Sequence, residues 1–137
     1  MSTTHDEKIL ITGASSGIGL ATALYLAEKG YSVIGTSRSA GRLAGLREEA
    51  SGRNLSVTTV ELDINSDEGV DAAVPSLLAE HGPITTLVNN AGYGLWGPVE
   101  SLSMEELRAQ FETNFYAAVR LVKAVLPGMV RQGRGTI

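Results

Sequence analysis

Residues 11–21 read ITGASSGIGLA, and the three glycines at 13, 17 and 19 decide how the chain folds. Upstream, KILIT (8–12) is a short apolar run of the kind a buried strand needs. Downstream, GIGLATALYLAEKG (17–30) reads as a helix that starts at glycines, sets Ile18, Ala21 and Tyr25 on one side and stops at Gly30. The G-x-x-x-G-x-G spacing therefore falls on a tight strand-to-helix turn. Glycine suits such a turn because it accepts positive φ, leaves bare backbone for a pyrophosphate to approach, and lets the helix sit close to the strand. The helix start adds unpaired N–H groups and a partial positive charge. Thr12, Ser15 and Ser16 contribute hydroxyls without bulk.

The same alternation continues along the chain. YSVIGTS (31–37), LSVTTVELD (55–63) and ITTLVNN (84–90) are strand-like. AGRLAGLREEA (40–50) is a weaker helix, since Gly41 and Gly45 each cost it about 1 kcal/mol relative to alanine. SDEGVDAAVPSLLAEHG (66–82) is helical, with Ser66 and Asp67 suited to its start and Pro75 expected to bend it. Ser103-x-x-Glu106 has the form of a capping box. A long amphipathic segment follows, with Phe111, Phe115, Val119, Val122 and Leu126 at helical spacing. Strand and helix in strict alternation predict an α/β fold, a Rossmann-type doubly wound parallel sheet with right-handed crossovers. The whole chain, 1–137, is read as one dinucleotide-binding domain.

Bulk properties bound the function. With 43% hydrophobic and 19% charged residues the composition is that of a globular domain. A net charge of −4 argues against a nucleic-acid or anionic-membrane partner. There is no cysteine, which removes disulfides, thiolate metal sites and thiol nucleophiles. His5 and His81 are isolated, so no metal site is expected. The first residues, MSTTHDEKILIT, do not resemble a signal peptide, and no apolar stretch is long enough to span a membrane. A soluble cytoplasmic domain is the expectation.

TGASSGIG (12–19) together with NNAG (89–92) resembles the paired cofactor motifs of the short-chain dehydrogenase/reductases. The resemblance runs from Lys8 to Ile137 and covers about the N-terminal half of a typical member. It implies that Thr12, Gly13, Ser15, Ser16, Gly17, Ile18 and Gly19 hold the cofactor phosphates. It puts the adenine ribose at the end of the second strand, where NAD-dependent members usually carry an acid. This chain has Ser37 and then Arg38, which leaves space and charge for a 2′-phosphate, so NADP(H) is favoured over NAD(H). The competing reading is a solvated surface arginine.

By the same resemblance Asp63 accepts from the adenine amino group, with Ile64 beside it; a turn-forming aspartate before a helix is the alternative. Asn90, Ala91 and Gly92 are implied to be adjacent to the cofactor. Asn114 matches the asparagine whose local helix distortion holds a water in the family's proton relay, against the plainer reading of a surface asparagine. Tyr93, Leu95 and Trp96 either face an apolar substrate or pack beneath their own loop.

The family's proton transfer needs a serine and a Tyr-x-x-x-Lys pair. Tyr25-Leu-Ala-Glu-Lys29 has that spacing but precedes Asn114 by 89 positions. It lies on the first helix, Tyr25 roughly 9 Å beyond Gly19 and pointing away from the phosphate end, and reads as structural. The last residues, GRGTI (133–137), read as a turn into a fifth strand, with the sheet expected to stop after about four strands. The resemblance thus implies the cofactor-binding half of an oxidoreductase that interconverts carbonyl and alcohol. By itself this chain is expected to be inactive and homo-oligomeric. The alternative is a noncatalytic nucleotide-binding module that pairs with another chain through an open sheet edge.

Overall fold

In the computed structural model, which describes residues 6–137, four parallel strands lie in the order β3-β2-β1-β4. They are β1 (Lys8–Ile11), β2 (Ser32–Ser37), β3 (Val57–Glu61) and β4 (Thr86–Val88). Between them run α1 (Gly17–Glu28), α2 (Ala44–Gly52) and α3 (Asp67–His81). The chain then continues through α4 (Met104–Phe111), a π-helical turn (Glu112–Tyr116) and α5 (Ala117–Gln132). This is the predicted doubly wound α/β sheet.

Period-two alternation sorts the strands between two cores. Ile9, Ile11 and Val33 pack with Ala23 and Leu24 of α1 and Leu46 and Ala50 of α2 on one face. Leu10 and Ile34 pack with Val70, Val74 and Leu77 of α3 and Leu121, Val125 and Met129 of α5 on the other. Since β1 pairs with β2 on one side and β4 on the other, the direction of winding reverses between β1 and β4. A crevice at that point, beyond the carboxyl ends of the strands, is where such sheets hold ligands.

Local signals explain most element boundaries. Ser66 caps α3 by accepting from Gly69 N–H at 3.0 Å, with Asp67 and Glu68 in the first turn. The predicted capping box is complete: Ser103 Oγ accepts from Glu106 N–H, and Ser103 N–H donates to Glu106 Oε2 at 2.8 Å. Gly133 adopts the left-handed conformation that ends α5, and Arg134 N–H returns to Met129 O. Pro75 does not interrupt α3; it stands on the exposed side of a single helix.

One expectation needs correction, and the structure settles the buried side of two helices. The stripe noted along the last helix faces mostly outward, with Val122 partly buried. Phe111, Phe115, Val119 and Leu126 are exposed, and the buried row is Ala117, Leu121, Val125 and Met129. On α1, likewise, Ile18, Ala21 and Tyr25 form the exposed side, and Gly19, Ala23 and Leu24 are buried. The outer edge of β4 is not open along its length: Thr136 N–H donates to Thr85 O and Leu87 N–H to Thr136 O, both at 2.9 Å. Thr136 thus bridges Thr86 in parallel, as the reading of 133–137 as a strand entry requires.

Candidate functional site

The ends of β1 and β4 are tied together at Thr12. Its side chain is buried and accepts from the N–H groups of Asn90 and Ala91 at 3.0 and 2.9 Å. Asn90 returns the tie, its Nδ2 donating to the carbonyls of Thr12 and Gly13 at 3.0 and 3.2 Å. Two segments far apart in sequence are thereby locked into one floor. Gly13 has a φ of +65°, and a β-carbon there would stand 2.9 Å from Ala91 Cα. Glycine is required at that point by conformation and by space.

Above this floor opens a cleft of about 780 Å³. Gly13, Ser15, Ser16 and Ile18 line one wall, and Asn90, Ala91 and Gly92 the base. Ser37 and Arg38 stand at the end of β2, with Ile64 opposite. Ten of the predicted residues therefore meet in a single cavity. Ser16 precedes α1 in extended conformation, and its side chain makes no capping hydrogen bond, so the first-turn N–H groups face the cleft without that partner.

The other five are not part of the lining. Thr12 and Gly19 are buried beneath it, and Gly17, with φ +55°, turns the chain into α1. Asp63 lies two residues past the end of β3, and its Oδ1 accepts from Asn65 N–H at 3.0 Å, the hydrogen bond of a turn-forming aspartate. Asn114 clasps the backbone of Tyr93, with Oδ1 accepting from Tyr93 N–H at 3.0 Å and Nδ2 donating to Tyr93 O at 2.7 Å. Asn114 does occupy a helix distortion, the π turn 112–116. His5 lies outside the described residues.

Sequence reading overlooked Arg42, Asn65 and Thr113, all of which line the cleft. Arg42 comes from the short 3₁₀ segment Ala40–Leu43. That segment is pinned by Glu61 Oε2, which accepts from Ala40 N–H at 3.1 Å, and by Arg47 Nη2, which donates to Ala40 O at 2.9 Å. The available signal was the R-x-x-x-R spacing of Arg38 and Arg42. Among the described residues neither arginine has an ion-pair partner. The cleft therefore carries two uncompensated guanidinium groups beside Ser37.

Behind the far wall, Arg120 donates to Ile64 O at 2.7 Å, to Glu112 Oε1 at 2.8 Å and to Asp67 Oδ1. Hydrogen bonding to Glu112 first and Asp67 second raises its pKa further, so it remains a cation. Tyr25 is exposed on α1 with Lys29 Nζ 5.3 Å from its ring centroid, and neither residue lines the cleft.

Residues 7–137 match the family described as short chain dehydrogenase. The chain is 47% identical over 134 residues to retinol dehydrogenase 8 of Homo sapiens, covering 94% of this chain and 42% of that protein. It is 40% identical over 129 residues to 3-ketodihydrosphingosine reductase of Bacteroides thetaiotaomicron, covering 94% and 44%. Among solved structures, a metagenomic short-chain oxidoreductase in complex with NADP superposes with a TM-score of 0.89 at 31% identity, over 98% of this chain and 60% of that one. The chain thus spans less than half the length of each of these two curated relatives.

Proposed function

The chain belongs to the short-chain dehydrogenase family, and from that premise we propose that it is the cofactor-binding part of an NADP(H)-dependent oxidoreductase that interconverts carbonyl and alcohol. The observation that carries the cofactor preference is the pair Arg38 and Arg42 at the cleft beside Ser37, neither with an ion-pair partner among the described residues. A small neutral residue flanked by two guanidinium groups accommodates the phosphate of a 2′-phosphorylated ribose, and an acid accepting from a ribose hydroxyl is absent from that point. The NADP complex of a structural neighbour supports the same choice.

In this reading the backbone of Gly13–Gly19 and the start of α1 hold the pyrophosphate, with the hydroxyls of Ser15 and Ser16 beside it. Thr12 and Asn90 keep the floor rigid, and Ala91 and Gly92 leave room above it. Ile64 packs against the adenine, with Asp63 at the turn behind it, and Asn114 fixes the Tyr93 backbone at the reacting end. The cofactor, when bound, supplies or accepts the hydride. The serine and the Tyr-x-x-x-Lys pair that the family uses for proton transfer have no counterpart at a matching position among these residues, so the 137-residue chain is expected to bind nucleotide without turning over.

Fluorescence titration of the chain with NADPH and with NADH tests the proposal. Tighter binding of NADPH is the expected result; equal binding of the two, or none, overturns it. Turnover of any carbonyl or alcohol by this chain alone overturns the assignment of the proton-transfer groups.

One observation favours self-association as well. Phe115, Val119, Leu126 and Val130 leave a row of apolar side chains exposed along the outer side of the π turn and α5. Covering it with a second copy would remove that surface from water. Sedimentation velocity of the chain and of Val119→Asp decides: a dimer that the substitution dissociates is expected, and a wild-type monomer refutes this reading.

A further inference from the structure

The π turn is fastened by two side-chain ties, one from the loop after β3 and one from α5. Its first residue, Glu112, accepts from Arg120 Nη2, and its second, Thr113, accepts through Oγ1 from Asn65 Nδ2 at 3.0 Å. Both ties lead to the loop after β3, because Arg120 Nη1 also donates to Ile64 O and Nε to Asp67, the first residue of α3. The third residue of the same turn is Asn114, which clasps Tyr93.

A wide turn interrupts the regular i→i−4 ladder, so its position along the helix has to be set by something other than the helix itself. The Arg120 side chain is only 19% exposed, and its planar donors are distributed over three separate acceptors. That geometry points to a specific role. We propose that Arg120 is a positioning residue, which acts through Glu112 to hold the π turn against the Ile64 wall of the cleft and so keeps Asn114 in register with Tyr93. The proposal rests on the reading of Asn114 as part of the reaction site, but its geometry is tested independently of nucleotide binding.

Amide hydrogen exchange of the whole chain, followed residue by residue by NMR, provides the test. Tyr93 N–H reports the clasp directly, and Leu121 and Val125 N–H report the stability of α5. In Arg120→Met, Tyr93 N–H is expected to exchange about tenfold faster while the α5 amides stay within about twofold of wild type. Glu112→Ala removes only the link to the π turn and should reproduce the selective effect, which keeps the test informative if Arg120→Met does not fold. Arg120→Lys should fall between, since one ammonium cannot reach three acceptors in a plane. An equal rise at Tyr93, Leu121 and Val125 would mean that Arg120 only stabilises the fold, and unchanged exchange at Tyr93 would remove any positioning role. A chain that shows the selective loss at Tyr93 but binds no NADPH would keep the positioning role and discard the oxidoreductase reading of the cleft.

Discussion

Gly19 lies so close to Gly13 that a β-carbon on Gly19 would stand 2.2 Å from the Gly13 carbonyl oxygen and 2.5 Å from Asn90 Nδ2. The first turn of α1, the end of β1 and the loop after β4 therefore meet at one point, where the Asn90 side-chain amide joins the backbone. Gly19→Ala is expected to destabilise the chain by about 3 kcal/mol, at the upper end of overpacking costs, because the opposing atom is backbone and cannot swing aside. Gly45→Ala, with nothing within 4 Å of the added carbon, should stay within about 1 kcal/mol of wild type on the stabilising side. Urea unfolding of both variants checks the contrast.

Arg38 and Arg42 line the cleft without acidic partners among the described residues. Replacing either with alanine is expected to weaken NADPH binding by about tenfold, the loss of one charge-assisted hydrogen bond, and to leave NADH binding nearly unchanged. Raising the ionic strength should narrow the NADPH preference of the wild type in the same direction. Titrations with both nucleotides at two salt concentrations would decide it.

On α5 the two apolar rows should respond very differently. Leu121 is fully buried between α3 and the sheet, so Leu121→Ala is expected to cost about 2–5 kcal/mol. Val119 is exposed, and Val119→Ala should change the stability of the monomer by about 0.5 kcal/mol or less. Thermal or chemical denaturation at low protein concentration makes the comparison without interference from self-association.

Glu106 supplies a pH dependence with a defined sign. Hydrogen bonds from the Ser103 backbone N–H first, and from its hydroxyl second, hold the Glu106 carboxyl below the ordinary value of 4.5. A group whose folded pKa is depressed stabilises the fold fully above its unfolded value and loses that contribution as pH falls through the folded one. The start of α4 should therefore fray at pH values below 4.5, while Glu106→Gln, which keeps an accepting oxygen and lacks the charge, should lose that acid step. Exchange of the Ser103 amide between pH 3 and pH 6 in both proteins follows the transition.

Much of the fold and of the site was legible in the sequence because it depends on chemistry that neighbouring residues carry. Glycine at 13, 17 and 19 specifies a turn that only a few backbones satisfy, Ser66 and Ser103 name the helix starts they cap, and alternation in KILIT already separates Leu10 from Ile9 and Ile11. The residues that gather at the cleft come from the ends of β1, β2 and β4 and from the loop after β3, which the order of elements alone brings to one edge of a doubly wound sheet.

Only the tertiary structure decided which side of each helix is inside and which polar groups face the cleft. Residues 111–130 carry two apolar rows, and both obey helical spacing: Phe111, Phe115, Val119 and Leu126 on one side, Ala117, Leu121, Val125 and Met129 on the other. Periodicity cannot choose between them, and the π turn shifts the phase where the choice is made. The row Ala117, Leu121, Val125 and Met129 went inside, where it packs with Val70, Val74 and Leu77 of α3 and with Leu10 and Ile34 of the sheet. In the same way Asp63 turned onto its own loop while Arg42 was carried to the cleft by a 3₁₀ segment that Glu61 and Arg47 hold down, contacts between residues that sequence distance conceals.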